Sequence, residues 1–250
     1  MSPLFIGRKI YREEALDSTN GFASELLSHE KVAEGTVVTT NYQKKGRGQT
    51  GNTWQSDAGK NLLLSVILYP SFLDPRHHFF LNQAVSLAVA DSLERFVEYA
   101  ELRIKWPNDI LLHSKKTAGI LIENAIQRKT IQHSVIGIGI NVNQENFPNE
   151  LKHVSSMKIA SGKEYDLEKV MDELFIQLEH RYLQLRQNKI EQLQKDYMKK
   201  LFMLEEECFY KTQEKKFRGK IVGLTADGKL TLLVNGEHEV FGFKEVEMVY

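Results

Sequence analysis

Apolar residues recur at helical spacing in three parts of the chain. A polar start at Asp17–Thr19 predicts a capped helix over the positions that follow it. A second helix is predicted from His77 to Tyr99, and a third helical stretch from Leu167 to about Leu204. The positions that carry these predictions are Phe22, Leu26, Leu27; Phe80, Ala84, Leu87, Ala88, Leu93; and Leu167, Val170, Met171, Leu174, Phe175, Leu178.

Short β-rich runs lie between these helices and after them, and the Asn235-Gly236 pair is a hairpin signal. We therefore expect an α+β fold, with a main domain over residues 1–204 and a small β-barrel-like domain over 205–250. The predicted strands are Thr36 to Tyr42, Leu62 to Tyr69, Leu102 to Trp106, Ile110 to Leu112, Gly119 to Ile126, Ser134 to Val142, Phe217 to Leu224, Lys229 to Val234 and Glu237 to Phe243.

Composition narrows the classes of function. Lys+Arg and Asp+Glu are equal at 33 each, so the chain lacks the basic excess expected of a protein that binds along nucleic acid. No apolar run reaches the ~18 to 20 residues that span a bilayer, and the N-terminus lacks the features of a secretory signal. The single cysteine, Cys208, suits a reducing compartment and is interpreted as a structural thiol. We expect a cytoplasmic protein.

Gly46–Gly51 matches the dinucleotide-binding pattern G-x-G-x-x-G, but no predicted helix follows it. Because that pattern needs a helix N-terminus for the pyrophosphate, we reject a Rossmann site. The Walker A pattern is also absent. The segment from Gln43 to Lys60 is instead a glycine-rich, cationic loop between strands. It could bind an anion through backbone N–H groups and Arg47, or it could be a flexible surface turn.

Three further segments carry candidate chemistry. Lys105–Asp109 contains residue types that are typical of a turn, and it could also line the mouth of a pocket. In Lys116–Glu123, a lysine precedes a glycine-containing strand and could place its ammonium over a phosphate. In Gly137–Asn143, glycines leave room for the close approach of a ring or backbone.

In this order, and together with Ser18-Thr19-Asn20, these segments resemble the catalytic module of biotin–protein ligases, also called holocarboxylase synthetases. The resemblance implies a class II synthetase-like mixed β-sheet flanked by helices, with a small C-terminal SH3-like β-barrel. It implies ATP-dependent activation of biotin to biotinyl-5'-AMP and transfer of the biotin to a lysine of a biotin carboxyl carrier protein. The family patterns are S-T-N, G-R-G-R-x-G-R-x-W, K-W-P-N-D, K-x-x-G-I-L-x-E and G-x-G-x-N-V-N.

The resemblance also implies a role for individual residues. Lys116 and Arg47 would stabilise charge on the phosphate, and Asp109 would accept the proton of the incoming lysine. Trp54 and the strand from Gly137 would bracket adenine, whose edge Asn141 would read. ATP and Mg²⁺ would be needed, with no metal site built by the protein. The implied biotin-binding residues are Ser18, Thr19, Asn20, Gln43, Arg47, Gly48, Gln49 and Lys116. The implied ATP-binding residues are Arg47, Trp54, Asn108, Lys116, Gly137 and Asn141.

The sequence departs from the family pattern at Gln49 and Asn52, where the family has arginines, so the loop lacks two positive charges. No helix-turn-helix segment precedes Ser18, and we expect no DNA binding. Two alternatives stay open: a lipoate or octanoate ligase of the same general fold, and a biotin-binding module without catalysis. A homodimer through a sheet edge is also open.

Overall fold

The structure is a computed structural model that describes residues 3–49, 51–98 and 101–249. Its main sheet has seven strands in the order β1-β2-β3-β7-β6-β5-β4. β1 and β2 pair in parallel and every other neighbouring pair is antiparallel, so the sheet is mixed. The strands are β1 (Ile10–Leu16), β2 (Val37–Gln43), β3 (Leu62–Leu68), β4 (Leu102–Lys105), β5 (Asp109–Leu112), β6 (Lys115–Gln127) and β7 (Thr130–Ile140).

Helices cover the two faces of this sheet unequally. On one face, α2 packs on β4, β5 and β6, and it is backed by α4 and α5. On the other face, α1 packs on β2, β3 and β7, and none of the described helices covers the β6-β5-β4 half of that face. The helices are α1 (Thr19–His29), α2 (Phe79–Glu94), α3 (Met157–Ser161), α4 (Leu167–Arg186) and α5 (Ile190–Lys200).

Two helix predictions need correction. The helix predicted from His77 to Tyr99 is shorter than expected: it begins at Phe79, after a short 3₁₀ turn at Pro75–His77, and ends at Glu94. Tyr99 itself lies outside the described residues. This α2 is buried on nearly all sides rather than on one face, because it lies between the sheet and two other helices. The stretch predicted to run to Leu204 breaks between α4 and α5, where Asn188 adopts a left-handed φ of 58°.

The C-terminal part is a second, antiparallel sheet in the order β11-β10-β9-β8-β12. The predicted Asn235-Gly236 hairpin is present, with φ values of 51° and 89° at the two residues. The expected fold class is confirmed, while the division at residue 204 stays a proposal, because one hydrophobic core continues through both sheets. The strands are β8 (Glu207–Lys211), β9 (Lys216–Leu224), β10 (Leu230–Val234), β11 (Glu237–Phe241) and β12 (Glu247–Val249).

Trp106 joins the two sheets. Its Nε1 donates a hydrogen bond of 2.9 Å to the Gly228 carbonyl oxygen, and its ring stacks on Phe243 with the centroids 5.2 Å apart. Gly228 has a φ of 85° and lies directly against the Phe79 ring, so a side chain could not fit there. The C-terminal sheet is thereby attached both to Trp106, directly after β4, and to Phe79 at the start of α2. Within the described residues, no helix is long and apolar enough to cross a membrane.

Candidate active site

A cavity of about 520 Å³ lies over the uncovered half of the main sheet, a size typical of small-molecule sites. The N-terminus of α1, the glycine-rich loop and the C-terminal sheet form its walls. Thr50, within the Gly46–Gly51 pattern, lies outside the described residues. The predicted site residues that line the cavity are Ser18, Thr19, Asn20, Gln43, Arg47, Gly48, Gln49, Trp54, Asn108, Asp109, Lys116 and Gly137.

One end of the cavity is a hydrogen-bonded polar cluster at the start of α1. Ser18 caps the helix, as predicted, by accepting from the Gly21 backbone N–H. Gln43 Oε1 accepts from the Thr19 backbone N–H at 2.8 Å. Asn20 Oδ1 accepts from the Ser65 hydroxyl at 2.6 Å, and both of these side chains are buried. The cluster therefore holds several polar atoms in fixed orientations around one end of the cavity.

The floor of the cavity is formed by glycines on neighbouring strands. Gly119 on β6 pairs with Gly139 on β7, and Gly137 lies on the same face two residues away. A Cβ atom on Gly137 would lie 3.0 Å from Asn20 Cγ, and one on Gly139 would lie 2.6 Å from Trp54 Cε2. Asn20 and Trp54 therefore pack directly on the backbone of β7 because these positions lack side chains.

A β-bulge directs Lys116 into the cavity. β5 pairs Ile110 with Ala118 but Leu111 with Lys116, so Thr117 is an extra residue on β6. Strict alternation from Ala118, which belongs to the core, would have placed Lys116 on the core face as well. The bulge reverses its direction. Lys116 Nζ then lies 2.7 Å from an oxygen of Asp109 and 5.6 Å from the centre of the Trp54 ring.

The glycine-rich loop folds back on itself as a small hairpin. Arg47 and Thr53 form a β-bridge, and the Gly48 N–H donates to the Asn52 carbonyl oxygen at 2.8 Å. The next element after the Gly46–Gly51 pattern is the strand β3 rather than a helix, as the sequence predicted. The Arg47 guanidinium forms an ion pair of 2.7 Å with Glu123 on β6, and this contact anchors the loop beside the cavity.

The two residues expected at adenine, Trp54 and Asn141, lie differently with respect to the cavity, and their adenine contacts stay predictions. Trp54 does not bracket an open space with β7, because its ring already lies against Gly139 and Gly119. Asn141 does not line the cavity: it is buried, and its Nδ2 donates to the Ser155 carbonyl oxygen at 3.0 Å. It follows the last residue of β7, beyond the part of that strand that forms the floor. Asn141 Oδ1 and Trp54 Nε1 are nevertheless buried without a hydrogen-bond partner.

The chain is similar to known proteins in both sequence and fold. The model of the biotin/lipoate A/B protein ligase family matches residues 13–141. The chain is 32% identical over 234 residues to the bifunctional ligase/repressor BirA of Bacillus subtilis, covering 92% of this chain and 71% of that one.

The chain belongs to the biotin/lipoate A/B protein ligase family.

Two further comparisons support membership of this ligase family. BirA of Bacillus spizizenii is 36% identical over 181 residues, which span 71% of this chain and 54% of that protein's own length. The biotin protein ligase of Aquifex aeolicus, solved in complex with biotin and ATP, superposes with a TM-score of 0.81. That structure is 26% identical and is matched over 97% of this chain and 99% of its own.

Sequence reasoning missed several residues of the site in this chain. Ser65 and Glu123 both bond to Asn20, and each left a signal: a serine inside an apolar strand, and the last letter of a matched pattern.

Burial lowers the pKa of Lys105, which lines the cavity, and the nearby charges of Asp109 and Glu247 oppose that shift. The wall from the C-terminal sheet left no sequence signal. Its lining residues are Tyr210, Ile221, Leu230, Lys244, Val246, Glu247 and Met248.

Potential metal ligands are not clustered in the described part of the chain. Among those residues, no group of three or more His, Cys, Asp or Glu side chains could hold a metal ion. The cavity wall offers two carboxylates, Asp109 and Glu247, and Lys116 already pairs with the first. These residues do not form a protein cage for Mg²⁺, which prefers six oxygen ligands.

Proposed function

We propose that this protein uses ATP to activate biotin as biotinyl-5'-AMP and then transfers the biotin to a lysine of a biotin carboxyl carrier protein. One observation carries the proposal. A single cavity is lined in one part by the amide of Asn20, which accepts from the buried Ser65 hydroxyl, and in another part by the Lys116–Asp109 ion pair. Biotin has the matching polarity, since its ring urea is uncharged and its carboxylate is charged.

Different residues would contact different parts of the two substrates. Ser18, Thr19 and Asn20 would hydrogen-bond the ureido ring. Gln43, Gly48 and Gln49 would line the rest of the biotin. Trp54, Asn108 and the glycine floor would contact the nucleotide, with the Trp54 ring moving off Gly139 to admit it. Support comes from the common cavity and from the biotin and ATP bound by the Aquifex aeolicus relative.

In the first step, a biotin carboxylate oxygen attacks the α-phosphorus of ATP. A carbon–oxygen–phosphorus linkage forms as the bond to pyrophosphate breaks, and pyrophosphate leaves with the bonding electrons. Lys116 and Arg47 would stabilise the negative charge that develops on the phosphate oxygens. In the free protein each is paired with a carboxylate at 2.7 Å, Asp109 and Glu123 respectively. The phosphate would therefore compete with these carboxylates for the two cations.

In the second step, the amine of the carrier lysine attacks the carbonyl carbon, an amide forms and AMP leaves. The amine must first lose a proton. When the phosphate draws Lys116 away, Asp109 would lose its ion-pair partner and would then accept this proton. The same pair would thus serve both steps, first through its cation and then through its carboxylate.

Mg²⁺ would enter with ATP and neutralise charge on its phosphates. Among the described residues, no group of side chains forms a cage for the ion.

The test is ATP–pyrophosphate exchange with biotin, lipoate, octanoate or no acid, followed by transfer to a purified carrier domain. The proposal expects exchange with biotin alone, and then a biotinylated carrier. Exchange with lipoate or octanoate in place of biotin would indicate the alternative ligase. Binding of biotin without exchange would indicate a non-catalytic module, and either result would overturn the proposal.

A further inference from the structure

Glu123 joins two parts of the site through one oxygen atom. Its Oε2 accepts from Asn20 Nδ2 at 2.7 Å and from Arg47 Nη2 at 2.7 Å. Glu123 stands on β6, and it is not among the residues that line the cavity. Its contacts therefore act on the residues around the cavity rather than on a ligand within it.

The contacts of Asn20 fix which side of its amide faces the ligand. Nδ2 has two hydrogens, and they point to Glu123 Oε2 and to the Leu121 carbonyl oxygen, at 2.7 and 3.3 Å. Oδ1 accepts from the Ser65 hydroxyl at 2.6 Å and retains a second lone pair. The opposite amide orientation would set Oδ1 against two groups that only accept. Asn20 can therefore offer the cavity an acceptor and no donor.

We propose that Glu123 is a positioning residue, which holds the Asn20 amide so that the site selects a substrate with an N–H donor at this end. The inference rests on the proposed function and deepens it. A cyclic urea carries such N–H groups, whereas a dithiolane ring or an alkyl chain carries none. Such acids would leave the second lone pair of Oδ1 unused and would lack one hydrogen bond that a cyclic urea makes, so the fixed amide favours the urea.

The test moves the carboxylate from one residue to the other. In Asn20→Asp, two carboxylates face each other. In Glu123→Gln, the side chain at position 123 can donate, so the Asn20 amide is free to turn. In the double variant, the side-chain amide at position 123 donates a hydrogen bond to one oxygen of the carboxylate at position 20. The other oxygen of that carboxylate again offers the ligand an acceptor. All three variants are close to isosteric, and thermal melting checks that they fold.

Biotin affinity is measured by calorimetry on the full chain, and pyrophosphate exchange supplies kcat and both KM values. Glu123→Gln should weaken biotin binding about tenfold, as expected for one charge-assisted hydrogen bond, and Asn20→Asp should weaken it more. The double variant should recover most of the affinity lost in Asn20→Asp. The KM for ATP should stay within about threefold of wild type, because the Arg47–Glu123 ion pair that Glu123→Gln also weakens is solvent-exposed and contributes little.

Glu168→Gln is the matched control, because it breaks an exposed pair with Arg12 of similar length, 2.8 Å, outside the cavity lining. It should leave biotin binding unchanged. A Glu123→Gln variant that binds biotin like wild type, or a double variant no better than Asn20→Asp, would overturn the inference alone. A wild-type chain without biotin-dependent exchange would overturn the proposed function instead.

Discussion

Replacing Gly137 by alanine would push a methyl group into the Asn20 amide. The added carbon would lie 3.0 Å from Asn20 Cγ and closer still to Oδ1, whereas carbon atoms ordinarily rest about 3.5 to 4.0 Å apart. The amide must therefore move by roughly 0.5 to 1 Å. Because Asn20 is buried and bonded to both Ser65 and Glu123, it cannot move without stretching these hydrogen bonds.

The size of the effect follows from those bonds. A neutral hydrogen bond contributes about 1 kcal/mol and one to a charged group about 1.5 to 3 kcal/mol. If the shifted amide loses part of this hydrogen-bond energy in its contact with biotin, the KM for biotin should rise about 10- to 100-fold, at about 1.4 kcal/mol per decade. Gly139→Ala instead presses on the Trp54 ring, with 2.6 Å to Cε2, and should raise the KM for ATP more than that for biotin.

The assay is biotin-dependent pyrophosphate exchange with each substrate varied in turn, and with melting temperatures measured on the same samples. Gly223→Ala is the control, because a Cβ there would meet no atom within 4 Å, and both KM values should stay at wild type. The reasoning fails if Gly137→Ala leaves the KM for biotin unchanged. It also fails if Gly137→Ala and Gly139→Ala raise both KM values equally, since that would show a general disturbance of β7.

Three further outcomes are expected. Lys116→Ala should lower biotin-dependent exchange by about two to three decades at unchanged melting temperature, as for loss of one transition-state donor; exchange at the wild-type rate would remove its proposed role. Gln49→Arg should slow release of the adenylate in a chase with unlabelled biotin, because a charged donor binds phosphate more strongly; equal or faster release would contradict this. Trp106→Phe should lower the free energy of unfolding by about 1 kcal/mol in urea titrations, since it loses the bond to Gly228, and unchanged stability would speak against that contact.

Much of the main sheet could be predicted from the sequence because its central strands are continuous apolar runs. β3 is buried along its whole length, and its predicted and observed starts coincide at Leu62. β1 was missed because it is an edge strand whose middle, Arg12 to Glu14, is charged and exposed. The break before α5 was missed because it contains neither glycine nor proline, and Asn188 adopts the left-handed conformation instead.

The sequence predicted those site residues that lie within a recognisable motif, but not how they are arranged in space. The motifs gave Lys116 and Asp109, but not the bulge at Thr117 that directs Lys116 toward the cavity. The bulge depends on how β6 pairs with β5, and no glycine or proline in Lys115–Ala118 marks the extra residue. For the same reason, the pattern could not show that Trp54 rests on Gly139 rather than apart from it.

The walls of the cavity come from widely separated parts of the chain, since Ser18 and Met248 both line it. A ribosome adds about 5 to 20 residues per second, so the segment from Gly137 to Met248 takes roughly 5 to 20 seconds to make. During that interval a nascent chain can hold the glycine floor while the wall from β12 does not yet exist. Ligand binding in the closed cavity must therefore follow translation of β12 and cannot assist the folding of the main sheet before it.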